Sequence, residues 1–277
     1  MSTTTASASL AHWSEAGRSG MDAFYHLATV DYFHLAQSQD WAAFFQALQA
    51  GRDTPLKLLD VACGSGKFPA ALMRHAGLGS AGLAPIDYAL LDPSGFSIAE
   101  ARGVLEPPFV AADEYELPLQ ALDVPAGAFD VVWATHALYA IPAAELPEAL
   151  SKFLGAMGGP GFIAHAKEAS HYIRFDRMFR EALGKSERVP YSTGEEVVAA
   201  LEALGAKVSV ETITYETTAS AEDRAQVEGF LQRCVFDDTL SLAEMEADPV
   251  LGAYLAKCQR EDRWAFQQSV ALISITA

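Results

Sequence analysis

Cysteine is scarce in this 277-residue chain. Cys63, Cys234 and Cys258 are an odd number with no zinc-type spacing, which argues against a disulfide framework and a structural metal site. Basic residues are also few. Nineteen Lys and Arg stand against 36 Asp and Glu, a net charge of −17, and they cluster nowhere, so nucleic-acid phosphates and an anionic membrane surface would both be repelled. No apolar run approaches the ~20 residues of a membrane span. The N-terminus lacks the basic start and apolar stretch of a secretory signal, so a cytoplasmic protein is expected. What the chain has in quantity is apolar: 51% of residues are hydrophobic, enough for a sizeable core, and the length suits an α/β domain with an appended cap. No signal for an oligomeric state is present.

The most informative stretch runs from Leu56 to Phe68. An apolar run of strand length ends in Asp60, then Gly64-Ser65-Gly66 turns the chain into Pro69 to Ala76, whose apolar spacing is helical. Glycine suits such a turn because a Cβ would block positive φ angles and the close approach of a ligand. The free N–H groups of the following helix make its mouth an acceptor-binding site. A second apolar run, Ile86 to Leu91, delivers Asp92 to the end of the next strand, where an acid can accept both hydroxyls of a ribose lying across the strand ends. A dinucleotide fingerprint would need a third glycine three residues after Gly66, where Pro69 stands.

From Leu56 to Lys167 the chain resembles the class I S-adenosylmethionine-dependent methyltransferases. That resemblance implies a Rossmann-like, seven-stranded, mostly parallel α/β sheet with helices on both faces and a helical cap, and S-adenosylmethionine as cofactor. It implies that Asp60, Ala62, Gly64 and Gly66 hold the methionine end of the cofactor and Asp92 the ribose, with Ala62 standing where glycine is more usual. Asp113 resembles the acid that accepts the adenine amino group, and Glu114 beside it is the alternative.

Along the chain, residues 1–18 read by composition as a disordered arm. Helical spacing of apolar residues marks an N-terminal lid over 19–54, and the core follows over 55–277, with cap insertions at about 168–192 and 219–262. Strands are expected at Phe109 to Ala112, Ala128 to Thr135, Phe162 to Ala166, Lys207 to Thr217 and Trp264 to Thr276. Thr193-Gly194-Glu195-Glu196 reads as a capping box.

Methyl transfer needs an aligned acceptor and a group to take a proton. The strand ending at Thr135 delivers His136 to the cleft, where a neutral imidazole suits proton transfer or holds the strand end and cofactor. His165, on the next strand, is a core histidine or a second base, and Tyr25 in the lid is a third candidate. The run His165-x-x-Glu168-x-x-His171 has ligand spacing, but strand and loop positions need not converge, and no metal is expected. The stretch from His136 to Gly155 resembles the histamine N-methyltransferase-like group, and the whole chain resembles bacterial indole C3-methyltransferases of the pyrroloindoline type. The resemblance implies a small aromatic acceptor: an indole methylated at C3, an arylethylamine methylated at nitrogen, or a small phenol. A non-enzymatic cofactor-binding domain is the remaining reading.

Overall fold

A computed structural model describes residues 5–184 and 188–276. Its sheet follows the order β3-β2-β1-β4-β5-β8-β6, seven strands in one path, with the two-residue β7 (Gln259–Arg260) paired to β8. β1 (Leu56–Val61) lies between β2 (Ile86–Leu91) and β4 (Val131–Thr135), parallel to both. β3 (Phe109–Tyr115) and β5 (Gly161–Ala166) extend the parallel part, and the long antiparallel pair β6 (Lys207–Ser220) and β8 (Arg263–Thr276) closes the other edge. The strand order reverses at β1, so the crevice beyond the ends of β1 and β4 is the topological switch point where open α/β sheets bind ligands.

The central strands are buried on both faces, and successive side chains serve different layers. Leu58 and Trp133 pack with Trp41, Phe45, Phe68 and Tyr88 on one face, while Leu59 and Val132 pack with Leu150, Phe153 and Leu201 on the other. Trp133 sits among rings of Trp41, Phe68 and Tyr88 with centroids 5.0 to 6.0 Å away, steeply tilted as aromatic quadrupoles prefer. Helix α4 (Lys67–His75) follows the glycine turn, α5 (Gly95–Val104) is capped by Ser94, α6 (Leu146–Ala156) precedes β5, and α8 (Gly194–Ala203) starts in the Thr193–Glu196 capping box.

A third apolar cluster lies beyond the sheet, where α2 (Arg18–Ala36), α7 (His171–Ala182), α9 (Arg224–Cys234), α10 (Leu242–Ala247) and α11 (Pro249–Cys258) bury Leu27, Phe175, Phe230 and Leu251 against Trp264 and Phe266 of β8. α3 (Trp41–Gln49) leads from α2 into β1. Residues 5–18, expected as part of a disordered arm, instead form α1 (Thr5–His12) and a 3-10 turn (Glu15–Gly17). Composition missed this because the segment is anchored by distant groups: Arg233 donates to the carbonyls of His12 and Gly17, and Ser94 donates to that of Trp13 at 2.8 Å. Residues 1–4 of that arm lie outside the described residues. β4 starts at Val131, later than expected, because the carboxylate of Asp130 turns back to the Lys57 N–H at 2.9 Å and to Arg52.

Candidate active site

The site is built on the turn after β1. Ala62, Gly64 and Gly66 all have positive φ, +50°, +51° and +69°. The two glycines need that freedom for different reasons. A Cβ on Gly66 would sit 2.5 Å from Val104 Cγ2 and 3.0 Å from Ala101 Cα, so this glycine lets α5 pack against the turn. A Cβ on Gly64 would meet only the Tyr25 hydroxyl, at 3.9 Å, so this glycine keeps the backbone open to a cavity. Ala62 takes the left-handed backbone despite its methyl, a strain of about 1 kcal/mol.

Asp92, just beyond β2, fastens the turn. One carboxylate oxygen accepts from the Gly64 N–H at 3.0 Å and the other from the Ser94 N–H at 2.9 Å. Each oxygen keeps a lone pair for a ligand hydroxyl. Burial pushes the Asp92 carboxyl up to about 6 against these two donors. Asp60 does not line the cavity; it is buried in the sheet, accepts from the Tyr88 hydroxyl at 2.7 Å, and is pushed up to about 7 by burial. Asp60 and Gly66 therefore lie outside the cavity wall, Asp60 within the sheet and Gly66 against α5. Cys63 is no activated thiol, since burial pushes its pKa up.

A cavity of about 440 Å³ opens from the turn, within the range of small-molecule sites. Leu119, Gln120 and the Thr135–Pro142 segment form one wall, and α2 contributes Phe24, Tyr25, Asp31 and Tyr32 from above. Trp13, Tyr172 and Tyr191 also line it, so aromatic rings make up much of the wall. Tyr25 carries the Lys67 ammonium over its ring at 4.4 Å, and burial pushes its phenol up to about 12, so it holds its proton at neutral pH.

His136 is at the cavity wall with φ of +52°. Its backbone N–H donates to the Ala164 carbonyl at 2.9 Å, its Nδ1 shares a hydrogen with the Tyr139 hydroxyl at 2.7 Å, and its Nε2 is buried without a partner among the described residues. Burial, with a smaller contribution from His165, pushes its pKa down to about 3. The imidazole is thus neutral at pH 7, a good hydrogen-bonding group and a weak base. His165 is not in the cavity wall. It is fully buried behind Tyr139, whose ring stacks on it at 4.3 Å, and its Nε2–H donates to the Ser192 carbonyl at 2.9 Å, so the structure places this candidate base in the core and not in the pocket.

The remaining candidates lie as follows. Asp113 and Glu114 do not reach the cavity: both are exposed on the edge strand β3, and Glu114 pairs with Arg102 at 2.6 Å. The histidine-glutamate run does not converge, since Glu168 binds Arg177 while His171 shares a hydrogen with Tyr254. Elsewhere on the lid helix, Tyr32 faces the cavity, His26 is exposed, and His34 stacks on Tyr215 at 4.2 Å. Asp31 was missed, although it falls four residues after Leu27 and four before Leu35, in the middle of the buried stripe of α2.

These features sit where a methyl donor would be held in the expected fold, and a family model described as a methyltransferase domain matches residues 32–210. The chain belongs to that family. The methyltransferase is similar to a candidate methyltransferase from Bacillus halodurans, with a TM-score of 0.56 and 13% identity over 85% of this chain and 97% of that one. It is similar, again at 13% identity, to magnesium protoporphyrin IX methyltransferase from Synechocystis. That enzyme with bound S-adenosylhomocysteine gives a TM-score of 0.56 over 97% of each chain, and with bound S-adenosylmethionine 0.52 over 97% of this chain and 95% of that one. Such identities speak to fold alone. No curated protein matches the chain in sequence.

The methyltransferase's own residues fit S-adenosylmethionine. The open Gly64 backbone, the lone pairs of Asp92 and the buried Ser65 hydroxyl form a polar cradle in a cavity whose lining is otherwise mostly apolar and aromatic. No helix among the described residues is long and apolar enough to cross a membrane.

Proposed function

We propose that the protein moves the methyl group of S-adenosylmethionine to a small aromatic metabolite, with C3 of a tryptamine-type indole carbamate as the first acceptor to test and a pyrroloindoline as product. The observation that carries this is the lining of one cavity, in which the polar groups of the glycine turn share the wall with the rings of Trp13, Phe24, Tyr32 and Tyr172. Aromatic walls match a flat, neutral ring, whose burial and edge contacts supply affinity. The cofactor supplies an electrophilic methyl on a positively charged sulfur. Around it, the Gly64 backbone and Ser65 take the methionine end, and the Asp92 carboxylate takes the ribose diol. His136, neutral and with Nε2 free, positions the acceptor by a hydrogen bond, and the lid helix α2 excludes water.

N-methylation of an arylethylamine is the second reading, favoured by one observation: a buried carboxyl, Asp31, lies in the same wall and suits an amine nitrogen. The acidic surface makes nucleic acid and anionic membrane poor partners, and a soluble cytoplasmic enzyme that uses no metal completes the proposal.

Mass spectrometry and ultraviolet absorbance after incubation with S-adenosylmethionine test it, using tryptamine carbamates, histamine and small phenols as acceptors. A methyl gain with loss of the indole spectrum supports C3 attack and ring closure. A gain with the aromatic spectrum kept moves the assignment to nitrogen or oxygen. Cofactor binding without methylation of any of these acceptors refutes the small-aromatic reading.

A further inference from the structure

Three carboxyl groups line the cavity. Asp92 serves the glycine turn, and Glu145 is exposed and accepts from Gln120. Asp31 is different: it is 3% exposed, and its two oxygens accept from the hydroxyls of Tyr172 at 2.5 Å and Tyr215 at 2.8 Å. The titratable groups that face it are Tyr32 on its own helix, Tyr139 after β4, Tyr172 on α7, Tyr215 on β6 and Cys234 on α9. Burial raises the pKa of all five, so each is neutral near pH 7, and no cation among the described residues acts on Asp31. His34 stacks on Tyr215, and its pKa is lowered by burial. A buried carboxyl without a cation is costly to keep unless something arrives to use it.

We propose that Asp31 is the proton acceptor of the reaction, taking the N–H proton of the acceptor's side-chain nitrogen while Tyr172 and Tyr215 hold its carboxylate in place. The assignment rests on the aromatic-acceptor reading above. In N-methylation the nitrogen lone pair forms the N–C bond, the S–C bond breaks with its electrons returning to sulfur, and the ammonium proton passes to Asp31. In C3-methylation the indole carbon takes the methyl and leaves positive charge over N1 and C2. The side-chain nitrogen then closes onto C2, N1 recovers its electron pair, and the side-chain N–H proton passes to Asp31. Either route releases one proton from one nitrogen, and it leaves for water with the product.

The acid strength of the two cavity groups agrees with this division of work. Burial pushes Asp31 up to about 7, near the pH at which a base is both unprotonated and strong enough to accept, whereas His136 at about 3 holds a proton poorly. Below pH 7 Asp31 is protonated and cannot accept, so turnover should fall about tenfold per unit on the acid side.

The test compares Asp31→Asn with the unaltered enzyme in two measurements. In the first, calorimetry with S-adenosylhomocysteine present reads the binding of tryptamine and of 3-ethylindole, which lacks the side-chain nitrogen. The expected result is at least tenfold weaker tryptamine binding in the variant with 3-ethylindole unchanged. In the second, the pH profile of methyl transfer to the best acceptor should lose its limb near pH 7, with turnover down about 10²- to 10⁴-fold and cofactor affinity kept. Tyr215→Phe should move that limb to higher pH, because one donor to the carboxylate is gone. A folded variant that still prefers tryptamine and keeps the acid limb overturns the role of Asp31 and leaves the aromatic pocket standing. An unaltered enzyme that binds cofactor but neither indole overturns both.

Discussion

Asp60→Asn should stabilise the cofactor-free protein, and by a margin that widens as pH rises. Asp60 is 2% exposed and its carboxyl is held at about 7 instead of its ordinary 3.8, with burial as the main cause. A folded-state pKa above the unfolded one means that stability is fully present below pH 3.8 and is lost as pH rises through 7. With about 1.4 kcal/mol for each pH unit, the loss between pH 5 and pH 8 is about 3 kcal/mol. Asparagine keeps the volume and still accepts from the Tyr88 hydroxyl, but it never ionises. The variant's advantage should therefore grow by about 3 kcal/mol from pH 5 to pH 8, or roughly 6–10 °C in melting temperature. Comparison with the unaltered protein at each pH is essential. Buried neutral His136, His165 and His171, with pKa values pushed down to about 3, 4 and 3, act in the opposite sense on the profile, since their unfolded forms take up protons below pH 6.5. Urea unfolding at four pH values reads the difference directly. An advantage that is constant or shrinks with pH refutes the reasoning that burial charges the Asp60 carboxylate at a cost.

Asp92→Ala removes an acceptor of charged hydrogen bonds worth about 1.5–3 kcal/mol each, so calorimetry should show S-adenosylmethionine binding at least tenfold weaker. Asp113→Ala, at an exposed position outside the cavity, should leave that affinity within a factor of two, and a tenfold loss would restore Asp113 to the site. Gly66→Ala combines a left-handed backbone with a clash against Val104 and Ala101, and should lower stability by at least about 2 kcal/mol in urea unfolding; a neutral result would mean that α5 can move away freely. Ala62→Gly should raise the melting temperature by about 1–2 °C at most, because removing strain of about 1 kcal/mol slightly outweighs the greater freedom glycine has when unfolded, and a clearly lower melting temperature refutes the strain.

The fold was legible wherever the signal was local. The apolar run at Leu56 becomes β1, one residue longer than the run, the run at Ile86 becomes β2 over the same residues, and Ser94 and Thr193 cap the helices that follow them, because strand, cap and turn chemistry act within a few residues. The N-terminal arm failed for the converse reason. Its small polar residues carry no apolar stripe of their own, and its order comes from Arg233, more than 200 residues away, reaching the His12 and Gly17 carbonyls.

The site divides along the same line. Gly64 and Asp92 were readable because the turn and the strand-end acid are both local features of one β-α-β unit. Asp113 and Glu114 misled because proximity in sequence to a strand end says nothing about which way an edge strand turns its side chains, and β3 shifts register between its pairings with Tyr88 and Leu90. Asp31 left a trace that was available and unused: an acid at the centre of the Leu27–Leu35 stripe has to be buried if the stripe is, and a buried acid needs donors. The donors, Tyr172 and Tyr215, lie 141 and 184 residues further along the chain, so the sequence can pose the question of what satisfies Asp31 while only the packing of α2 on α7 and β6 answers it. A single acid inside an apolar helical stripe is therefore a stronger pointer to function than a histidine at a strand end, since its burial has to be compensated and the compensation can be sought.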